Sequence, residues 1–366
     1  NVGVRYDYNY IDAKKFYLKS RWTERGYDTE FANLIIGDYT TQWLVNPKFS
    51  FHNIAASAGI IYQLNDKNTV LFNYGLSNRA PNASELFSDG LHHSAARIEL
   101  GDLALQQEVS NRISATYKYQ SNKTNILAEV FFNNIHNFIY IEPSGTEQTI
   151  RGAFPVWSYK ATNANLYGID FTWQQKLNDA FTFSNKSSLT FGYDTKANRN
   201  LIDIPAPNFK NSLAYRNKNW HQLGIRLESE LVLKQTNYPD NNFTVYLPTK
   251  DSYEVVDISS TPPSYHLLNL QTDAVFHLSK KTDLQISAGI TNLLNTKYRD
   301  YLNRLRFYAD DLGIGMLGHE GQKIIKTPNI DKLAQEGIRF ERAYSNMLCA
   351  PARASLITGL HDCHKE

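Results

Sequence analysis

Alternation with a period of two runs through roughly the first three hundred residues, and few folds accept it. Ile54, Ala56, Ala58, Ile60, Tyr62 and Leu64 share one parity, and the positions between them are mostly small or polar. Val70, Phe72, Tyr74 and Leu76 repeat the pattern, as do Ile113, Ala115, Tyr117 and Tyr119, and then Ile126, Ala128, Val130 and Phe132. Tyr167, Ile169, Phe171 and Trp173 follow, and Leu284, Ile286, Ala288 and Ile290 close the series. Successive side chains of a strand point to opposite faces, so each run predicts a strand with one apolar and one polar face. With the opening segment from Val2, about eleven such strands can be counted, many of about ten residues, the length a tilted strand needs to cross a bilayer.

The connections alternate in length. Asn65-Asp66-Lys67-Asn68, Gln120 to Lys123 and Asn178-Asp179 are short turns rich in Asn, Asp and Ser. Residues 23–48, 77–107, 143–159, 194–207 and 237–264 read as long loops. Short turns at one end and long loops at the other are the asymmetry of an outer-membrane barrel. A soluble β-sandwich is the alternative; its strands run to about five or six residues, and solvent could accept Arg226, Glu228 and Glu230 on its polar face. In a membrane the apolar face meets lipid, and the Ser, Thr, Arg, Glu and Lys face lines a wet lumen.

Composition agrees where it bears on this choice. The chain has 23 Tyr and 19 Phe but only 2 Met, a balance that favours strands and membrane interfaces over helical cores. A net charge of +2 provides no field for nucleic acid. Both cysteines, Cys349 and Cys363, lie at the far end, so neither a disulfide scaffold nor a zinc framework is present. No apolar run approaches the ~18 residues of a membrane-spanning helix. The chain opens inside a strand-like segment without a signal peptide, which reads as a start that is not natural.

Specific strings narrow the class. Ser77-Asn-Arg79-Ala-Pro81-Asn82-Ala-Ser-Glu85-Leu86-Phe87 is followed by Gly101-Asp102 and Glu108-Val-Ser110. Tyr167-Gly168-Ile169-Asp170 and Ile290-Thr-Asn292-Leu-Leu294-Asn295-Thr-Lys-Tyr298-Arg-Asp300-Tyr301 come later. In this order they resemble the carboxy-terminal half of TonB-dependent receptor barrels, over about residues 1–308. That resemblance implies an outer-membrane transporter of a Gram-negative bacterium that takes up a bulky nutrient, such as an iron complex, cobalamin or a glycan. It also implies an inner-membrane energy-coupling complex as partner and outer-membrane lipid as surroundings. The family's plug, its coupling box and its closing strand have no counterpart here, and its barrel has about twice the strands counted.

From Ala309 the text changes. Asp310-Asp311-Leu312-Gly313 leads to Thr327-Pro328-Asn329-Ile330-Asp331, which starts a capped helix with Leu333 and Ala334 on its apolar stripe. Cys349-Ala-Pro351-Ala-Arg353 and Thr358-Gly359 follow. This run resembles the opening of type I sulfatases, whose motif cysteine becomes formylglycine and attacks sulfate as its hydrate. The resemblance implies Cys349 as precursor, Arg353 steadying it, and Asp310 and Asp311 as calcium ligands. Residues 309–366 are therefore expected as a short α/β sulfatase-like fragment. They lack the family's further metal pair and its downstream Lys and His residues, so the expectation is an inactive fusion, by recombination or by an assembly error. The competing reading is a sulfatase tethered to a small outer-membrane barrel.

Overall fold

The computed structural model describes residues 1–303, apart from 93, 94, 96, 150, 151, 248–251, 258 and 280. One sheet dominates. Its path takes eleven strands in chain order, each antiparallel to the next. They are β1 (Val2–Asp12), β2 (Lys48–Asn65), β3 (Asn68–Arg79), β4 (Glu108–Gln120) and β5 (Thr124–Thr149). Then come β6 (Gly152–Lys176), β7 (Phe181–Asp194), β8 (Asn208–Arg216), β9 (Gly224–Val232), β10 (Tyr265–Ser279) and β11 (Thr282–Ile290). The eleven alternating runs of the sequence are these eleven strands. Among the described residues β1 and β11 are the two edges of the path.

Register joins the apolar faces into one surface. Tyr6 lies opposite Ile54, Ile60 opposite Phe72, Phe132 opposite Ile113 on one side and Tyr167 on the other, and Ile169 opposite Leu189. Leu213 faces Leu227, which faces Leu270, which faces Ile290. This belt is bare: Val4 is 77% exposed, Ile60 69% and Ile169 48%. An apolar surface of this extent is not stable against water, and its place is hydrocarbon. Among the described residues no helix is long and apolar enough to cross a membrane, so any crossing is made by strands.

The buried core lies elsewhere, at the long-loop end. Residues 13–47 form a small layer of their own: the three-stranded sheet of Lys15–Leu18, Gln42–Val45 and Ile35–Asp38, with helices α1 (Lys19–Glu24) and α2 (Tyr27–Glu30). Tyr17, Trp22, Tyr27 and Val45 pack there against Leu103 from the next loop. A second cluster of Leu86, Leu105 and Ile139 takes in Ile11 and Phe49, which ties the layer to the ends of β1 and β2 and to the middle of β5. The loops thus make a cap with its own hydrophobic core.

One expected loop is absent. Residues 143–159 do not leave the sheet: β5 and β6 stay paired from Thr124–Gln175 to Thr149–Gly152. Pro143, Ser144 and Gly145 punctuate the sequence as a turn does, but they sit at a register shift between Pro143 and Gly145, where one extra residue is absorbed by a bulge. Gly145 has φ 147°, a conformation a side chain would oppose. The result is a hairpin that rises well past its neighbours.

The belt makes a direct prediction. Ile169→Arg is expected to cost about 2–4 kcal/mol in a bilayer, whereas Gln174→Arg, on the opposite face of β6, should stay within about 0.5 kcal/mol. Urea titration of the protein in lipid vesicles measures both.

Candidate functional site

The functional surface is built by two layers: the polar face of the sheet and the cap above it. On the polar face, charges are paired across strands one or two places apart. Arg112 Nη2 donates to Glu129 Oε1 at 2.8 Å, and Thr116 Oγ1 donates to the other oxygen of the same carboxylate at 3.1 Å. Lys210 lies between Glu228 at 3.4 Å and Glu230 at 3.3 Å. Arg216 Nη1 reaches Asp273 Oδ2 at 2.6 Å. A recess of about 270 Å³ opens here, lined by Thr172, Gln174, Ser184, Lys186, Lys210, Ser212, Arg226 and Glu228. These groups are solvated and mutually compensated, as a water-lined wall requires.

Gly168 shows how tightly the wall is made. A Cβ there would lie 2.3 Å from the Leu189 carbonyl oxygen and 2.9 Å from the Phe131 ring. Phe131 covers the glycine, and the Arg112 guanidinium sits over that ring at 4.1 Å. The neighbouring Asp170 accepts from Ser188 Oγ at 2.7 Å. The Tyr-Gly-Ile-Asp string is thus one outward aromatic, one close approach, one belt residue and one inward carboxylate.

The cap is held by the Arg79 to Glu85 string. Asn82 caps helix α3 (Ala83–Phe87): Glu85 N donates to Asn82 Oδ1 at 3.0 Å, and Asn82 N donates back to Glu85 Oε2 at 2.8 Å. Arg79 Nη1 donates to both oxygens of Glu85 at 2.9 Å, and its Nε donates to Glu108 Oε2 at 2.6 Å. Glu108 also accepts from Ile139 N at 2.6 Å. The ends of β3 and β4 and the middle of β5 are locked to α3 through two carboxylates and one guanidinium. Gly101 docks against the back of α3, with its N–H donating to Ser88 O at 2.6 Å and no room for a side chain. Asp102 then accepts from Tyr27 Oη at 3.0 Å, and Tyr27 Oη accepts from Leu103 N at 3.0 Å. Burial, and then Asp102 beside it, push the Tyr27 phenol up to about 12.

Arg21 and Arg25 converge on Asp89, at 3.0 and 2.8 Å, and Arg21 also pairs with Glu147 on the raised β5–β6 hairpin. Asp89 is nearly enclosed, which makes the pairing stronger than an exposed one. Nothing in the sequence pattern marks Arg21, Arg25 or Glu147. Arg79, Glu85 and Glu108 stood inside recognisable strings. Cys349, Arg353, Asp310 and Asp311 lie outside the described residues. Among the described residues no group of His, Cys, Asp or Glu is placed to hold a metal.

Residues 1–293 match the family model "TonB dependent receptor-like, beta-barrel". The chain belongs to the TonB-dependent receptor family. The receptor barrel is an outer-membrane structure, and the bare belt fits that location. The fold is also that of the copper transporter OprC, with a TM-score of 0.56 and 15% identity, over 71% of this chain and 37% of that one. Residues 305–365 match the Sulfatase family model. Human arylsulfatase D is 48% identical over 60 residues, which are 16% of this chain and 10% of that protein. Bovine arylsulfatase A is 50% identical over 58 residues, 16% of this chain and 11% of that protein. The chain thus spans about a tenth of the length of these curated relatives and 37% of the matched OprC chain.

The receptor's cap gives the second prediction. Gly101→Ala is expected to cost about 1–3 kcal/mol by overpacking against α3. Gly75→Ala, where a Cβ meets nothing within 4 Å, should be tolerated. Limited proteolysis should cut residues 13–47 and 80–107 sooner in the first variant and at the parental rate in the second.

Proposed function

We propose that the receptor portion forms part of the wall and the outer cap of a transporter that takes up a bulky, scarce nutrient across the outer membrane. The observation that supports this most is the division of the sheet into a bare apolar belt and a wall of paired charges. Uptake against a gradient through such a wall needs an energy-coupling complex in the inner membrane, which is the partner we assign. The copper named for OprC is one candidate cargo; iron complexes, cobalamin and glycans are the others. Refolding into detergent and then into planar bilayers tests the wall: a heat-modifiable gel band and ion conductance are expected if these strands close with a partner strand, and a monomer showing neither overturns the reading.

For the remainder we propose a separate unit beginning near residue 309. The receptor match ends at 293 and the sulfatase match begins at 305, so the alternating Arg304-Leu305-Arg306-Phe307-Tyr308 stands at the start of the sulfatase match, just before the Asp310-Asp311 pair. By family resemblance Cys349 is the formylglycine precursor, Arg353 steadies it, and Asp310 and Asp311 would hold a calcium ion that offsets the charge of the sulfate oxygens. The 61 matched residues (305–365) are a small part of a sulfatase, and we infer that residues 1–366 alone do not hydrolyse sulfate esters. After conversion of Cys349 by a formylglycine-generating enzyme, no release of sulfate from an aryl sulfate above background is expected. Release that disappears in Cys349→Ala would overturn this.

A further inference from the structure

The apolar belt carries a polar row. Asn185 on β7 lies opposite Asn211 on β8, and Asn211 lies opposite Ser229 on β9. Ser187 follows Asn185 on the same face, and His266 of β10 adjoins Ser229. All five have the parity of the belt: Lys186, Lys210 and Glu228 alternate with them on the opposite face.

The row lies inside the belt, not at its rim. On β7, Phe181 and Phe183 stand on its short-turn side and Leu189 and Phe191 on its long-loop side. On β8, Leu213 and Tyr215 stand on the first side and Phe209 on the second. On β9 these places belong to Ile225 and Leu227, and to Leu231. Leu213, Leu227 and Leu231 are exposed, so the apolar surface continues on both sides of the row. At that depth hydrocarbon offers neither donor nor acceptor.

The bonds within the row leave donors over. Asn185 Nδ2 donates to Asn211 Oδ1 at 2.8 Å, and Ser187 Oγ donates to Asn185 Oδ1 at 3.0 Å. The N–H groups of the Asn211 amide find no acceptor among the described residues, and the side chain is only half-buried, within reach of a neighbour. Ser229 and His266 share one hydrogen bond of 2.7 Å, so whichever donates, one N–H or O–H of the pair is left over. A donor without an acceptor in hydrocarbon is costly.

Whatever covers the row must carry acceptors at the same depth. Acyl chains carry none. Strands that extend the sheet join it at β1 and β11 and leave the outer face of β7, β8 and β9 open. A second copy of the chain meets the requirement by construction: its own row lies at the same depth, and an amide both donates and accepts. Asn211 stands on the middle strand of the three. A two-fold axis along the membrane normal beside it sets Asn211 of one copy against Asn211 of the other, and β7 of each copy on the side of β9 of the other.

We propose that the chain pairs with a second copy of itself in the membrane through the outer face of β7, β8 and β9, each Asn211 amide donating to the carbonyl oxygen of the other. Oδ1 of Asn211 accepts one bond from Asn185 and keeps a lone pair for the second. The pairing is independent of what the wall transports.

The test places the full chain in phosphatidylcholine vesicles, part of it carrying a donor dye and part an acceptor dye on Cys349 and Cys363. Energy transfer between copies is followed as lipid is added. Transfer should persist to about tenfold greater dilution in the parent than in Asn211→Leu, and Asn211→Gln, which keeps the amide, should stay nearer the parent. In a Cys349→Ser/Cys363→Ser background, a short bifunctional thiol reagent should link Asn211→Cys into dimers and leave Ile60→Cys, on the belt of β2, as monomer. No transfer in the parent at any dilution, or an Asn211→Leu variant that dilutes as the parent does, overturns the proposal. Dimers linked through Val4→Cys on β1 and not through Asn211→Cys are pairs of open sheet edges, and overturn it too. The heat-modifiable band is read on every variant, and the linking of Asn211→Cys decides if Asn211→Leu lacks it. Failure of the transporter reading would appear in conductance, separately from transfer between copies.

Discussion

Everything in the receptor portion depends on the inter-strand hydrogen-bond ladder. In hydrocarbon a strand has no other partner for its N–H and C=O groups, so each strand is stable only where a neighbour stands on both sides. Nine of the eleven strands on the path have two such neighbours, and β1 and β11 have one each among the described residues. Direction adds a second constraint. With consecutive antiparallel pairing, β1 and β11 both run toward the long-loop end, so joining them directly would make a parallel pair. A closed, wholly antiparallel barrel requires an even number of strands, and these eleven need at least one more.

The belt carries an exception that the same logic explains. Asn185 donates to Asn211 at 2.8 Å, Ser187 donates to Asn185 at 3.0 Å, and Ser229 shares a 2.7 Å hydrogen bond with His266, all on the face otherwise made of Phe, Leu and Ile. A lone polar group facing lipid costs several kcal/mol. Here the groups come in neighbouring pairs, so most of that cost is offset by the partner across the strand. The wall uses the same device with charges: Lys210 serves two glutamates, and Arg216 is matched by Asp273.

The strands were legible because period-two alternation is a property of single residues in order. The short turns were legible for a related reason: Asn65 and Asn178 each accept hydrogen bonds from backbone N–H groups two and three residues on, a local contact. The cap was legible only in part. The capping box of Asn82 and Glu85 is local and visible as a string, but its purpose depends on Arg79 and Glu108, 29 residues apart. Arg21 meets Asp89 across 68 residues and Glu147 across 126, and no spacing announces either pair. The outer part of the β5–β6 hairpin, residues 143–159, was read as a loop because Pro143 and Gly145 carry turn chemistry, while the partner strand that overrides it begins beyond them.

The junction near residue 304 carries a conflict of the same physical kind. A further strand beside β11 would need one face apolar and one polar, and Leu305 and Phe307 alternating with Arg304 and Arg306 meet that need. A sulfatase sheet asks the opposite of the residues leading into its Asp-Asp pair: a parallel strand covered on both faces, with apolar side chains throughout. The sulfatase match nevertheless begins at 305, so the same residues are claimed by both patterns. Burying Arg306 in a parallel sheet without a partner would cost several kcal/mol, more than one turn of favourable packing returns. Exposing it to water on the wet face of a barrel costs little. By its sequence pattern alone the segment suits a barrel wall better than the interior of an enzyme sheet.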